Sequence, residues 1–147
     1  MSAISDYLEN KLVDHLFRGQ AFANPVLYVG LLTAAPSDAG GGSEVSGNNY
    51  ARVKAAAGAS QALADWAGTQ SAGSTTASSG TGGATSNNAP VNFPTPSGNW
   101  GTVTHFGIYD AATAGNLLFH GALTIAKTIN QSDTVTFPAA TLSITFA

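Results

Sequence analysis

Apolar residues recur along this chain with three different spacings, and each spacing predicts a different element. Ile4, Leu8, Leu12 and Leu16 fall every fourth residue, with Val13 and Phe17 widening the stripe. That is the period of an amphipathic helix, predicted over residues 2–18. Ser2 or Ser5 can serve as N-cap by accepting from an amide that the first turn leaves unpaired. Asp6 and Glu9 suit the positive end of the helix dipole and Arg18 the negative end, with Gly19 just past the C-cap. Burying each large apolar side chain contributes about 1.5–3 kcal/mol. The stripe is therefore expected to dock, either on the chain's own sheet or on a neighbouring subunit.

The second pattern is a continuous apolar run, Val-Leu-Tyr-Val-Gly-Leu-Leu at 26–32, which follows Asn24-Pro25 and predicts a strand covered on both faces. The third is alternation. Residues 134–137 and 142–146 alternate Thr or Ser with Val, Phe, Leu and Ile, as strands with one face on a core do. Residues 102–109 and 116–125 flank a turn of Asp, Ala, Thr and Gly and read as a hairpin; if Tyr109 pairs with Asn116, His105 falls opposite His120. Residues 50–56 and 90–93 are further short strands, the latter at an edge because Pro94 and Pro96 follow.

Two stretches lack a period. Residues 60–67 read either as a short capped helix carrying Leu63 and Trp66 or as a loop anchored by Trp66. Residues 68–88 are Gly, Ser and Thr-rich and read as a flexible linker; if they are ordered, a neighbouring subunit is the natural candidate to hold them. The expected architecture is mainly β: a compact antiparallel β-sandwich or barrel-like domain with an N-terminal amphipathic α-helix. It divides into a helical arm, 1–19, and a single β domain, 20–147, with the long loop at about 68–88.

Composition narrows the function. Charged residues make up only 9% of the 147, against about 25% in an ordinary domain. Net charge is −3 and the five basic residues are scattered, which argues against nucleic acid as a partner. There is no cysteine, hence no disulfide, thiolate metal site or cysteine nucleophile. No run approaches the roughly 20 apolar residues of a membrane span. The first ten residues lack a basic start and carry Asp6 and Glu9, so a secretory leader is not expected. A surface of Ser, Thr, Gly, Ala and Asn can be covered by a neighbour without stranding charges, which favours a subunit of an assembly.

Candidate chemistry is thin. His105 and His120, if opposite, would come close enough to share a metal, but two ligands are not a site and the nearest carboxylate, Asp110, lies in the turn. They are read as structural histidines, and no metal or cofactor is expected. The glycine-rich stretch at 80–85 lacks the strand, helix and lysine of a phosphate loop and reads as low-complexity loop. Trp66 and Trp100 are either anchors of the fold or, in a minor reading, a carbohydrate platform. An enzyme is not expected.

Two blocks then matter together. One is Val26-Leu-Tyr-Val-Gly-Leu-Leu-Thr-Ala-Ala-Pro-Ser-Asp with Glu44, Tyr50 and Arg52. The other is Val91-Asn-Phe-Pro with Trp100-Gly-Thr-Val-Thr-His-Phe-Gly-Ile-Tyr-Asp and Asn116-Leu-Leu-Phe-His-Gly-Ala-Leu. In order and composition they resemble small virion proteins of tailed bacteriophages, labelled as phage structural or tail-fibre-like proteins. The departure is the segment 55–88, longer than the connection in that family. The resemblance implies a structural virion component without catalysis, made in the host bacterial cytoplasm. Within that class the favoured expectation is a head decoration (cement) protein, homotrimeric, bound to the major capsid protein. The alternatives are a tail, baseplate or fibre-associated protein, or a carbohydrate-binding module on the virion. The expected interface is Ile4, Leu8, Leu12, Leu16, Phe17 and Trp66, with His105, His120 and Trp100 structural.

Overall fold

The structure, a computed structural model, describes residues 2–146. In chain order it runs β1 (Ser2–Ile4), α1 (Asp6–Phe17), β2 (Tyr28–Ala34), β3 (Ser43–Glu44), β4 (Val53–Lys54) and β5 (Ala84–Ser86). It continues with β6 (Val91–Asn92), β7 (Gly101–Tyr109), β8 (Leu117–Ile129), β9 (Thr136–Phe137) and β10 (Ser143–Thr145). The chain is mainly β, with several antiparallel sheets and one short helix. The central sheet has the order β1-β8-β7-β2, with β3 and β4 both on the outer edge of β2. Barrel closure, one of the two expected forms, is not what this order gives: β1 ends the sheet on one side and β3 and β4 on the other. The two remaining ribbons, β5–β10 and β6–β9, pair only within themselves.

One face of the central sheet carries Val29, Leu31, Phe106 and Ile108, in register across β2 and β7, all buried. The ribbons and the chain beside them bring Val91, Phe93, Leu142 and Ile144 into the same cluster, with Trp100. The period-two pattern of 142–146 thus does what it predicts, since Leu142 and Ile144 are buried and Ser143 and Thr145 exposed. The run at 26–32 is likewise covered on both faces, with 29–32 buried without interruption.

The helix starts later than its stripe predicts. Ser2–Ile4 pairs with β8 as an edge strand, Ile4 against Phe119, so Ile4 belongs to the sheet rather than to a helical face. Ser5 makes the turn. Its amide donates to the Leu118 carbonyl, its hydroxyl donates to the Leu117 carbonyl, and the same oxygen caps α1 by accepting from the Leu8 amide. The open edge of β8 offers backbone groups that need partners, and pairing them outweighs one more turn of a marginal helix. At the other end Gly19, just past the C-cap Arg18, takes the left-handed φ of +68°.

The hairpin register also differs from the expected one. Tyr109 pairs with Leu117, one residue beyond Asn116. Asn116 is instead drawn into the turn, where the Asp110 carboxylate accepts from its amide at 2.6 Å and from its side chain at 2.7 Å. An extra residue, Leu118, follows in β8 before the ladder resumes at Ile108 and Phe119. Consequently His105 faces Ala122 and His120 faces Gly107.

The segment 68–88 makes many bonds to its own chain. Trp66 bridges to Asn87, and β5, inside the segment, pairs with β10. Between them the Gln70 side chain binds Ser74, Thr76 and the Ser79 amide, while the Asn88 side chain donates to the Ala64 and Ser74 carbonyls. Polar side chains bonded to nearby backbone supply the order that no hydrophobic period announced. No helix forms at 60–67, because the Asp65 carboxylate accepts from the Ala57 and Ala62 amides and folds that stretch as a loop.

Candidate assembly surface

The face of the sheet opposite the core is built around an ion pair. β3 covers one end of β2 and β4 the other; between them the Val45 amide reaches the Leu31 carbonyl, but the Leu31 amide has no strand partner among the described residues. The Tyr50 hydroxyl takes that place, accepting from the Leu31 amide at 2.9 Å and donating to Glu44 at 2.8 Å. Arg52 grips the same carboxylate through two nitrogens at 2.7 and 2.8 Å. Its guanidinium lies 3.4 Å from the centre of the Tyr109 ring and donates to the Ala111 and Ala114 carbonyls of the β7–β8 turn. Gly30 and Gly107 are paired beneath; a Cβ on Gly107 would stand 2.7 Å from the Tyr109 ring, so only glycine leaves room for it. Burial is the main cause that raises the Tyr50 and Tyr109 hydroxyls above the ordinary tyrosine value, with the Glu44 charge adding to it. Burial by itself lowers Arg52, but the Glu44 hydrogen bonds and charge outweigh it and raise the guanidinium further. Every polar atom named here is used in holding strands and turn together. The cluster is a brace, and the sequence singled out Glu44, Tyr50 and Arg52 only through the resemblance; an opposite-charge pair eight residues apart in so uncharged a chain was the available signal.

The two histidines have separate partners. His105 Nδ1 is 2.8 Å from the Thr104 hydroxyl, and His120 Nε2 is 3.2 Å from Asp38. Among the described residues no three His, Asp or Glu side chains gather where they could hold a metal. Trp100 is buried, packed edge-on against Tyr50 and Phe93, and its indole donates to the Asn48 carbonyl, so its ring offers no stacking platform. Trp66 is half-buried and donates to the Ala55 carbonyl.

Two apolar features are left without cover. Of the expected interface stripe, Leu8 is only 6% exposed and packs inside its own chain. Leu12 is half-buried, but Val13, Leu16 and Phe17 stand open, Leu16 at 68% and Phe17 at 82% exposure. The helix tip beyond Leu12 therefore projects from the sheet with its apolar side bare. Elsewhere, a groove of about 530 Å³ runs between Leu27, Leu63, Trp66, Phe119, Ile144 and Phe146. Its polar lining is Asn24, Gln61 and Thr85, so no charged residue faces it. Leu63 and Phe146 at its rim are more than half exposed.

The family model described as podophage GP4 fiber I protein gp80 matches residues 3–145. The chain belongs to that family. The match spans the N-terminal helix and the long segment 68–88 alike. It makes the chain a phage structural protein of tail-fibre-like kind, as the resemblance in the sequence implied at its broadest, and it lends nothing to capsid decoration in particular. No curated protein matches the chain. In this gp80-family chain, then, the two uncovered apolar features are the surface on which an assembly role has to be argued.

Proposed function

We propose that this chain is a non-catalytic building block of the fibre apparatus of a podophage virion, acting by contact with other copies of itself and with its virion neighbours. The observation that carries the reading is the family match over residues 3–145. The physical support is the surface: 9% charged residues, a projecting apolar helix tip and an uncharged apolar groove. A homotrimer remains the expected self-assembly, with residues 1–19 as its arm and 20–147 as its body.

The test is the copy number of this chain in purified virions, by quantitative mass spectrometry against the major capsid protein, with antibody labelling in electron micrographs. A ratio of a few per cent, with label at the tail end, is expected. A ratio near parity, with label over the head, would replace the fibre reading by the decoration reading, in which the major capsid protein is the partner. Absence from the virion would overturn both.

A further inference from the structure

Resting on that assembly reading, we propose that copies of this chain join head to tail, the helix tip of one copy, Leu16 and Phe17, seating in the groove of the next. The occupant is a second copy because both halves of a fit lie on one chain. The tip offers two large apolar side chains at 68% and 82% exposure, and the groove offers about 530 Å³ of apolar space between Leu63, Trp66, Phe119 and Phe146. That volume lies within the roughly 300–1,000 Å³ typical of sites that enclose a small ligand, and so suits the end of one helix.

Charge agrees with this pairing. The flanking charges of the tip, Asp14 and Arg18, are tied to each other at 2.9 Å, so the tip brings no unpaired charge from that pair into a groove that has none to answer it. No residue of α1 lines the groove of its own chain, which leaves it free for another. Only Leu8 of the twelve helical residues is buried. A helix so short is marginal in water without packing, so seating its tip also supplies the burial that it lacks. Because tip and groove are different surfaces, the contact is heterologous, and it closes into a ring or runs on as a filament according to the rotation between neighbours.

The experiment is a complementation of two single variants of the full chain. Phe17→Asp removes the tip and leaves the groove; Leu63→Asp spoils the groove and leaves the tip. Both positions are well exposed in the free chain, so thermal unfolding in dilute solution is expected to stay close to the parent's; Leu16→Asp and Phe146→Asp replace either variant that does not. Mass by sedimentation or light scattering is the readout. The parent is expected above twice its 14.8 kDa chain mass. Each variant alone is expected to be a monomer, with self-association weakened at least 100-fold. The equimolar mixture is expected to give a dimer and nothing larger, since one good tip meets one good groove. Three results overturn the proposal: a parent monomeric at every concentration, which means another protein covers these surfaces; a Leu63→Asp chain that still assembles, which means helices meet helices; or a mixture that stays monomeric. The virion copy number is independent of all three, so the fibre reading can survive the loss of this contact.

Discussion

The N-terminal arm and the β body use the same residue types to opposite ends. In the body, Val29, Leu31, Phe106 and Ile108 are buried within one chain, and each charged group of the opposite face has its partner within reach. In the arm, Leu8 is buried while Val13, Leu16 and Phe17 are left in water. An apolar stripe therefore tells that a face will be covered but not by what. The body's stripes face strands paired beside them in the sheet, whereas the last turn of the arm's stripe has no covering strand among the described residues. Stability resides in the first kind of burial, and the second is what the proposed contact between copies would cover.

Breaking the body should cost the most. Ile108→Ala removes a side chain that is 1% exposed, between Val29 and Phe119 in register. A loss of about 2–5 kcal/mol in unfolding free energy is expected, the usual range for a large-to-small change in a packed core. Urea unfolding of the dilute chain checks it. A loss under about 1 kcal/mol would mean that the central sheet is less tightly packed than its burial implies.

Next comes the brace. Arg52→Met keeps much of the apolar stem but leaves Glu44 without its two charged hydrogen bonds and the turn carbonyls of Ala111 and Ala114 without a donor. Removing one partner of a fully buried pair costs about 3–5 kcal/mol. The Glu44 side chain is 26% exposed, so water compensates in part and about 2–3 kcal/mol is expected. Loss of amide-exchange protection in the β7–β8 turn, with β9 unaffected, would place the effect at the brace rather than in the core.

Much of this body was legible in the sequence, for physical reasons. Alternation at 142–146 and the apolar run at 26–32 depend only on which faces meet a core, and the chain states that directly. The hairpin register was not legible, because it turned on the Asp110 side chain capturing Asn116 and on an extra residue at Leu118, neither of which has a period. The strand at Ser2–Ile4 was hidden for a related reason: Ile4 fits the helical spacing, and only the open edge of β8 claims it. The order of 68–88 comes from side-chain-to-backbone bonds spread over Gln70, Asn87 and Asn88, where composition says linker. Of the expected interface residues, Leu16 and Phe17 are exposed, Trp66 lines a groove, Leu8 is buried in its own chain and Ile4 pairs in the sheet.

The brace should also leave a mark at high pH. Tyr50 and Tyr109 hold their protons in the fold above the ordinary tyrosine value. The unfolded chain releases them near pH 10, so the folded state then binds more protons than the unfolded one. Stability is complete below about pH 10 and falls as pH rises beyond it, by up to about 1.4 kcal/mol per pH unit for each tyrosine. Urea midpoints at successive pH values from 9 to 11 should bend downward there. Tyr109→Phe, which loses no hydrogen bond found in the structure, should flatten the bend by one proton's worth; an unchanged bend would assign it to other groups.

The smallest effect is the most telling about the arm. Leu16→Ser removes a large apolar residue, yet it is 68% exposed and the chain already solvates it. In dilute solution the unfolding free energy should change by no more than about 0.5 kcal/mol, as at other surface positions. At concentrations where the chain associates, the same substitution should lower the unfolding midpoint relative to the parent, because burial then occurs only in the assembly and mass action ties stability to it. A loss of about 2 kcal/mol in the dilute chain would instead mean that Leu16 is already buried within one copy. The arm would then belong to the body, and the contrast between them would vanish.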